Sequence, residues 1–397
     1  MSRMVNRVTT WLSSCFTKKG APQSIQATEV DGALTIRNVN FYSYKDLRLA
    51  TNNFSPDNKI GEGGFGSVYK GRLKDDTVVA IKVLSAHSSQ GVREFLNEIK
   101  TIAVIEHDNL VKLYGCCTEG NHRILVYGYL ENNSLAHTLL GGSHSGNQFS
   151  WSTRRKICIG VARGLAFLHE DVHPHIVHRD IKASNVLLDK DFEPKISDFG
   201  LAKLFPDNMT HISTRVAGTI GYLAPEYAIR GQLTRKADIY SFGVLLLEIV
   251  CGRSNTNKRL SLDEQYLLER VWQLYRKGEL LCLLDTSVDG DYNEEEACRY
   301  LKIGLLCIQD KPKIRPSMST VLKMLMGETD VNDMKISSPG LLSEIMGLKR
   351  HQDESDVKNS FLTPSAGSGM PENSSSSSAM ETSYATMTFN SIYDRSS

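Results

Sequence analysis

The residues best suited to chemistry lie in one stretch of the chain, residues 178–200, which runs HRDIKASNVLLDKDFEPKISDFG. It holds two carboxylates, Asp180 and Asp198, an amide, Asn185, and a cation, Lys182. Phosphoryl transfer needs a metal-bound triphosphate held in line with an acceptor hydroxyl, so the protein must supply metal ligands, positioning and a proton acceptor. The four side chains form a set of this kind, and the stretch is therefore predicted to serve phosphoryl transfer.

A glycine-rich segment upstream contains the pattern GxGxxG. It comprises Ile60, Gly61, Glu62, Gly63, Gly64, Phe65, Gly66, Ser67 and Val68. Glycine lets the backbone approach phosphates closely and point its N–H groups at them. Dinucleotide-binding turns and plain hairpins share the pattern, but the dinucleotide turn opens a helix. Because more strand follows here, a dinucleotide site is not expected.

A lysine at the end of the next strand is the third candidate. Lys82 closes the segment VAIK, and strand alternation puts Ala80 and Lys82 on one face, with Ala80 small enough to lie under an adenine ring. An acidic partner is expected on the following helix. With 3.6 residues per turn, Glu98 lies about 100° from the centre of the apolar stripe and Glu94 about 140°. Glu98 is therefore the predicted partner, and Glu94 is expected to be exposed.

The elements that must position these residues fall into two groups. Residues 59–83 predict an antiparallel sheet, residues 88–103 a helix with one apolar stripe, and residues 110–115 and 123–129 two further strands. Helical periodicity dominates after Ser134, most clearly over 151–169, 237–250, 266–277, 294–309 and 318–326. A sheet lobe therefore precedes a helical lobe, with the chemical residues at their junction.

Residues 54–327 resemble the protein kinases along their whole length, through GxGxxG, VAIK, NEI, HRD, DFG and APE. The wording NFSPDNKIGEGGFGSVYKG, DIKASNVLLD and GTIGYLAPEY is similar to plant receptor-like kinases. The overall layout resembles the receptor-like cytoplasmic kinases, and within them the cold-responsive protein kinase subgroup. The resemblance implies an α+β, bilobal protein kinase fold, with a small antiparallel sheet lobe carrying one helix and a larger, mainly helical lobe from about residue 130.

The resemblance also implies roles for the chemical residues. Asp180 would accept or orient the proton of the substrate hydroxyl, while Asn185 and Asp198 would hold Mg²⁺, with Mn²⁺ as a substitute. Lys182 would contact the transferring phosphoryl group. Together with Thr219 it is typical of the serine/threonine type.

ATP would be held by the glycine-rich segment and by residues around it. Lys82, paired with Glu98, belongs to the catalytic set. The remaining predicted nucleotide contacts are residues 60–68, Ala80, Tyr127 and Tyr129. Two structural roles follow as well: Asp238 would brace the catalytic loop, and Arg315 would pair with Glu226.

A Ser/Thr-rich loop between Gly200 and Ala224 is the predicted regulatory segment. Arg179 places a cation beside Asp180, and this charge needs a counter-ion. A phosphate on the loop would supply it, with Lys203 assisting. The candidate positions in this segment are Thr210, Ser213, Thr214 and Thr219. The alternative is an unmodified, exposed loop.

Three histidines just before the catalytic residues, His173, His175 and His178, have the spacing HxHxxH. Pro174 prevents them from sharing a helical face, and no fourth ligand is apparent in the sequence. We therefore expect His178 to be a packed histidine that supports the loop, and we expect no zinc site.

Composition limits the remaining classes of function. The 46 basic and 45 acidic residues leave a formal net charge of +1, without a concentrated basic run, which argues against nucleic acid as a partner. The eight cysteines lack CxxC spacing, which indicates a reducing compartment. The longest apolar run, residues 242–251, is too short to span a bilayer.

Segments outside the kinase-like region have their own patterns. Residues 1–40 are basic and amphipathic at their start, which fits a cytoplasmic protein that associates with the plasma membrane surface through Cys15 acylation, but also a transit peptide or a disordered leader. Residues 41–53 predict a short helix before the kinase domain. Residues 328–397 are rich in Ser and Thr and are predicted to be a disordered tail.

The leading hypothesis is an active serine/threonine protein kinase that uses ATP and Mg²⁺ on protein substrates and works with upstream receptor kinases. A nucleotide-binding pseudokinase scaffold is the alternative from another class. A third hypothesis is a membrane-tethered adaptor that acts through its tails.

Overall fold

The computed structural model describes residues 39–63, 66–84, 89–141, 149–257, 259–261, 264–285 and 292–341. The chain divides into a unit of residues 1–36 and a unit of residues 37–397, and every described residue belongs to the second. The predicted leader with Cys15 lies outside the described residues. Gly64 and Phe65 of the glycine-rich segment do so as well.

The N-terminal lobe is built on one sheet with the strand order β1-β5-β6-β4-β3-β2. The strands are β1 Asn40–Phe41, β2 Lys59–Gly63, β3 Gly66–Arg72, β4 Val78–Leu84, β5 Leu113–Cys117 and β6 Arg123–Gly128. Neighbouring strands from β2 to β6 pair antiparallel, as predicted. The short strand β1 was not predicted, and it pairs parallel with β5.

A helix before the kinase-like region completes the core of this lobe. Helix α1, Tyr44–Ala50, begins after Ser43, whose side chain accepts the backbone N–H of Asp46. Its Leu47 is fully buried on the face of the sheet opposite to Ala80 and Lys82. It lies there in a cluster with Val79, Ile81, Cys117, Ile124 and Val126. The segment before residue 54 is therefore part of the packed lobe. Its removal would expose this apolar face to solvent.

The C-terminal lobe is mainly helical. Its helices are α3 Leu135–Thr138, α4 Trp151–Ala166, α5 Pro225–Arg230, α6 Arg235–Cys251, α7 Leu267–Lys277, α8 Glu294–Cys307 and α9 Met318–Met326, while α2, Ser89–Ile102, belongs to the sheet lobe. Every residue of α6 from Ala237 to Cys251 is buried. This helix therefore lies at the centre of the lobe. No described helix is both apolar enough and long enough to cross a membrane.

Three short two-stranded sheets lie among the described residues after β6. They are β7 His175–Val177 with β10 Lys203–Phe205, β8 Val186–Leu188 with β9 Pro194–Ile196, and β11 Ile212–Ser213 with β12 Gln232–Leu233. The loop between β7 and β8 carries residues 178–185. The turn after β9 carries Asp198.

The packed lobe extends past the predicted start of the tail at residue 328. The hydroxyl of Tyr240 donates a 2.6 Å hydrogen bond to the carbonyl of Gly340, and Leu341 is buried. The backbone of Gly340 also donates to Ile308. The expectation of disorder from residue 328 is therefore wrong for residues 328–341, because a few apolar side chains and backbone bonds hold this segment on the lobe.

Candidate active site

Lys82 lies between two carboxylates. Its Nζ is 3.2 Å from Oε2 of Glu98 on α2 and 2.9 Å from Oδ1 of Asp198. Burial alone would lower the pKa of Lys82, but the charges of Asp198 and Glu98 outweigh burial and raise it above its ordinary value. The ammonium therefore stays charged, and it joins the sheet lobe to the turn after β9.

The two carboxylates differ in their own electrostatics. Burial raises the pKa of Asp198, but the attraction of Lys82 outweighs it and holds this pKa below its ordinary value. Burial also raises the pKa of Glu98, and there the attraction of Lys82 does not fully offset it. Asp198 is thus the more firmly ionised partner of the lysine.

Tyr127 on β6 contacts this cluster in a way that the sequence did not indicate. Its hydroxyl donates a short hydrogen bond to Oε1 of Glu98. Burial and the neighbouring Glu98 charge raise the pKa of Tyr127 well above its ordinary value, so it remains a donor. The Tyr127 side chain therefore holds Glu98 in place, and the predicted nucleotide contact of Tyr127 stays a prediction.

The turn that carries Asp198 is fixed by α2. Asp198 itself has a left-handed backbone, with φ of 67°, which is costly for a residue with a side chain. The amide nitrogen of Asn97 lies 3.2, 2.9 and 2.7 Å from the carbonyl oxygens of Phe199, Gly200 and Ala202. Asn97, next to the predicted Glu98, is thus a positioning residue that sequence reasoning missed.

Glu94 departs from its prediction as an exposed neighbour. It is only 4% exposed. The turn Phe199–Leu201 packs over this side of α2, and a Cβ on Gly200 would lie 3.3 Å from that of Glu94. The helical wheel located Glu94 correctly relative to the apolar stripe but gave no sign of the segment that covers it.

Asp180 is the centre of a second cluster. Lys182 Nζ lies 2.9 Å from Asp180 Oδ2 and donates a 2.8 Å hydrogen bond to the hydroxyl of Thr219. The Thr219 hydroxyl in turn donates a 2.6 Å hydrogen bond to Asp180 Oδ1. The amide nitrogen of Asn185 donates to the Asp180 carbonyl at 2.9 Å and to its Oδ2 at 3.1 Å. Both carboxylate oxygens of Asp180 are thereby oriented.

Asp238 at the start of α6 holds the loop that carries Asp180. Its carboxylate accepts the backbone N–H groups of His178 at 2.7 Å and Arg179 at 2.8 Å, and it lies 2.9 Å from His169 Nε2. Burial raises the pKa of Asp238, but these contacts, first of all the one with His169, lower it below its ordinary value. The predicted bracing role of Asp238 is confirmed in its geometry.

His178 is a packed histidine, as expected. It is fully buried, its Nε2 lies 3.0 Å from the carbonyl of Ser197, and its ring packs edge-on against Phe199. It therefore links the catalytic loop to the turn that carries Asp198.

The glycine-rich strands β2 and β3 lie next to β4, which carries Lys82. Val68 on β3 lies opposite Lys82 on β4, and the alternation of β4 puts Ala80 on the same face. Gly66 has a φ of 136°, and a Cβ there would lie 2.0 Å from the carbonyl oxygen of Val83. Only glycine fits at this position. Tyr129, just after β6, lies with its ring 4.4 Å from the Nζ of Lys70.

The chemistry of these groups fits a nucleotide and a divalent metal. Asp198 and Asn185 present carboxylate and amide oxygens, the ligands that Mg²⁺ prefers. The Asn185 nitrogen is committed to Asp180, which leaves its amide oxygen for a metal. Lys82 provides a fixed positive charge, and the glycine backbone at Gly66 admits a close approach to phosphate.

The predicted regulatory segment surrounds Arg179. The guanidinium donates to the carbonyls of Leu201 at 3.1 Å and Arg215 at 2.8 Å, and to the Tyr227 hydroxyl at 2.6 Å. Within the part of the chain that the structure describes, no carboxylate pairs with it. Thr210 and Ser213 are exposed, while Thr214 is partly buried and its N–H donates to Gly231.

A buried ion pair fixes the far end of this segment. Arg315 donates to Glu226 through both terminal nitrogens, at 2.8 and 2.9 Å, and it is almost fully buried. The pairing predicted from sequence is present.

Comparison with known proteins identifies the class. Residues 54–325 match the family model described as Protein kinase domain, and the chain belongs to this family. Protein kinases use ATP and Mg²⁺ in general and act on protein substrates.

The chain is 63% identical over 377 residues to Cold-responsive protein kinase 1 of Arabidopsis thaliana. The matched region covers 92% of this chain and 97% of that protein. It is 53% identical over 333 residues to the probable leucine-rich repeat receptor-like serine/threonine-protein kinase At3g14840 of the same plant, which covers 82% of this chain and 33% of that protein. It is thus a serine/threonine protein kinase that fits the receptor-like cytoplasmic kinases, and the pseudokinase alternative is not favoured.

Proposed function

We propose that this kinase transfers the γ-phosphoryl group of ATP with Asp180 acting on the hydroxyl of a protein serine or threonine. The observation that carries the proposal is the orientation of both Asp180 carboxylate oxygens by Lys182, Thr219 and Asn185. A fixed carboxylate can accept the hydroxyl proton as the new bond to phosphorus forms. Lys182, 2.9 Å from Asp180, supplies positive charge beside the transferred group.

The nucleotide roles rest on the lysine cluster. Lys82, held by Glu98 and Asp198, would contact the phosphates, and Asn185 with Asp198 would hold Mg²⁺ or its substitute Mn²⁺. When bound, the metal neutralises charge on the phosphates. Ala80, Val68 and Tyr129 would border the adenine side.

Matched substitutions in the purified full chain test these roles. Asp180→Asn, Asp198→Asn and Lys82→Met remove one function each. We expect each to lower phosphate transfer from radiolabelled ATP to a generic basic protein by at least about 100-fold. Asp333→Asn and Lys313→Met make the same chemical changes at exposed positions and should retain wild-type rates.

The test separates catalysis from folding and from scaffolding. Circular dichroism and the thermal midpoint show whether each variant folds, and nucleotide binding is measured apart from turnover. Full activity in folded Asp180→Asn or Lys82→Met protein would refute the assigned roles. A wild-type chain that binds ATP but labels no protein would restore the scaffold hypothesis.

Regulation by loop phosphorylation is the second part of the proposal. Among the described residues, the guanidinium of Arg179 donates only to carbonyl and hydroxyl oxygens, so a nearby phosphate would supply its counter-ion. Ser213 and Thr214 are the candidates closest in sequence to Arg215, whose backbone carbonyl accepts a hydrogen bond from Arg179. Thr210 is the third candidate. The Thr219 hydroxyl donates a hydrogen bond to Asp180, which favours a role for Thr219 in the active site over phosphorylation.

Alanine at Thr210, Ser213 and Thr214 together tests the regulation. We expect slower turnover that phosphatase treatment does not lower further, whereas phosphatase should slow the wild-type enzyme. Equal rates for the treated and untreated wild-type protein would eliminate the proposal.

The cellular setting completes the proposal. Similarity to the kinase portions of receptor-like proteins supports a place in plant receptor signalling, with receptor kinases upstream. The basic start of the chain supports a cytoplasmic enzyme that associates with the plasma membrane through Cys15. Cys15→Ser should move the protein from membrane to soluble fractions, and an unchanged distribution would count against acylation.

A further inference from the structure

Two of the three histidines before the catalytic loop meet an acidic residue from a distant segment. His173 Nδ1 lies 3.2 Å from Oδ2 of Asp207, and His175 Nε2 lies 3.2 Å from Oδ1 of the same carboxylate. One ligand atom from each residue falls within 4.8 Å of the others. The sequence suggested no further ligand near these histidines, and the structure supplies Asp207 while directing His178 elsewhere.

The fold explains why these residues meet. Strands β7 and β10 pair with Phe205 opposite His175. Asp207 follows two residues later, which brings it back over the start of β7. The cluster is therefore held by a backbone ladder rather than by free side chains alone, and it lies outside the ATP and metal residues proposed above.

We propose that His173, His175 and Asp207 form a binding site for a divalent transition metal of the zinc class. Two imidazole nitrogens and one carboxylate oxygen are ligands that Zn²⁺, Co²⁺ and Ni²⁺ accept. With metal–ligand bonds of about 2.0–2.2 Å, neighbouring ligand atoms of a tetrahedral site lie about 3.3 Å apart. Each imidazole nitrogen lies 3.2 Å from one oxygen of Asp207, His173 from Oδ2 and His175 from Oδ1, and a small side-chain rotation would bring one oxygen to this spacing from both nitrogens. The metal would take the place of the present contacts between the two imidazoles and the carboxylate.

The site would favour such metals over the Mg²⁺ that the kinase reaction uses. Mg²⁺ prefers oxygen ligands and keeps several waters, so two imidazoles select against it. His173 and Asp207 are about 60% exposed, which gives a metal a route from solvent, while His175 is only 12% exposed and forms the inner ligand. Remaining coordination positions would hold water.

Occupation of the site would join two functional segments. His175 lies five residues before Asp180, and Asp207 belongs to the segment that starts at Asp198 and contains the predicted phosphorylation positions. A metal would therefore fasten the start of this segment to the strand that leads into the catalytic loop. It would stabilise the folded chain, because a metal that binds only the folded state raises its stability.

Cobalt binding tests the proposal by a readout other than activity. The full chain, without a histidine tag, is stripped of metal with EDTA, desalted, saturated with Mg²⁺ and titrated with Co²⁺, whose tetrahedral complexes absorb strongly in the visible region. We expect a one-site absorption increase that Zn²⁺ displaces. His173→Ala and Asp207→Asn should each weaken Co²⁺ binding by at least about tenfold.

A histidine on the same segment provides the matched control. His211 is exposed and lies outside the cluster, so His211→Ala should bind Co²⁺ as the wild type does. Zn²⁺ should raise the thermal midpoint of the wild type and of His211→Ala but not that of His173→Ala. Wild-type affinity in the cluster variants, loss of binding in His211→Ala, or absence of the visible band would each overturn the proposal.

Discussion

The hydroxyl of Thr219 donates a 2.6 Å hydrogen bond to Oδ1 of Asp180, and it accepts one of 2.8 Å from Lys182. Thr219 lies 39 residues after Asp180 in the chain. The contact therefore exists only when the segment between them is folded back onto the catalytic loop. It couples the position of that segment to the orientation of the proposed base.

Removal of this hydroxyl should slow the enzyme. Thr219→Ala is expected to lower kcat about 10- to 100-fold, since a hydrogen bond to a charged group contributes about 1.5–3 kcal/mol. Thr219→Ser keeps the hydroxyl and should retain most of the activity. Steady-state kinetics with a peptide substrate measure both variants. Equal kcat for the alanine and serine variants would contradict a role for the bond.

The bond between Tyr127 and Glu98 predicts an effect on stability. Tyr127→Phe leaves the buried Glu98 carboxylate without this donor. An unsatisfied buried acceptor costs about 1–3 kcal/mol, so the urea midpoint should fall with little change in the unfolding slope. Tyr266→Phe is a control, because Tyr266 is exposed just before α7. Unfolding curves that coincide with the wild type would show that the bond contributes nothing.

Much of the fold and site follows from local sequence. Helix α9 forms over Met318–Met326 as predicted, because its apolar spacing and the cap at Ser317 are local signals. The pairing of Lys82 with Glu98 followed from strand alternation and a helical wheel. The assigned roles of Lys82 and Asp180 in catalysis stay predictions until they are tested.

The contacts that sequence did not reveal are long-range ones. Tyr127 meets Glu98 from 29 residues away, and Asn97 reaches Phe199 from 102 residues away. Asp207 meets His173 from 34 residues away. None of these pairs has a periodic or spacing signal, because each depends on how separate elements pack. The two-residue strand β1 was missed for a similar reason, since it is too short to show alternation.

Asn97 should matter for catalysis through the turn that carries Asp198. Asn97→Ala removes the amide that reaches the carbonyls of Phe199, Gly200 and Ala202. We expect kcat to fall about tenfold, the effect of about 1.4 kcal/mol. Asn97→Asp should be worse, because carboxylate oxygens would face carbonyl oxygens.

The exposed Asn332 offers a control for this pair of variants. Asn332→Ala should keep wild-type kcat and KM for ATP. The thermal midpoint is recorded for each protein, so that loss of folded enzyme is separated from slower turnover. If Asn97→Asp matched the wild type in kcat, the carbonyl contacts would not position the turn.

Glu248 on α6 should make stability depend on pH. Its carboxylate is buried and accepts from the Tyr222 hydroxyl at 2.7 Å and the Asn255 N–H at 2.8 Å. Burial raises the pKa of Glu248 from 4.5 to about 7, and the two hydrogen bonds only partly oppose it. Between pH 4.5 and about pH 7, the Glu248 carboxyl is therefore protonated in the folded state and ionised in the unfolded state. The contribution of Glu248 to the free energy of unfolding should be full below about pH 4.5 and be lost as the pH rises to about 7.

Glu248→Gln carries no titrating group and should flatten this part of the stability profile. The difference in the free energy of unfolding between the two proteins is expected to change by roughly 2–3 kcal/mol between pH 4.5 and pH 7. Urea unfolding followed by tryptophan fluorescence at a series of pH values measures it. Glu279→Gln, at an exposed position, controls for the loss of one carboxylate and should keep the wild-type slope. Parallel profiles for Glu248→Gln and the wild type would mean that Glu248 stays ionised in the folded protein across this range.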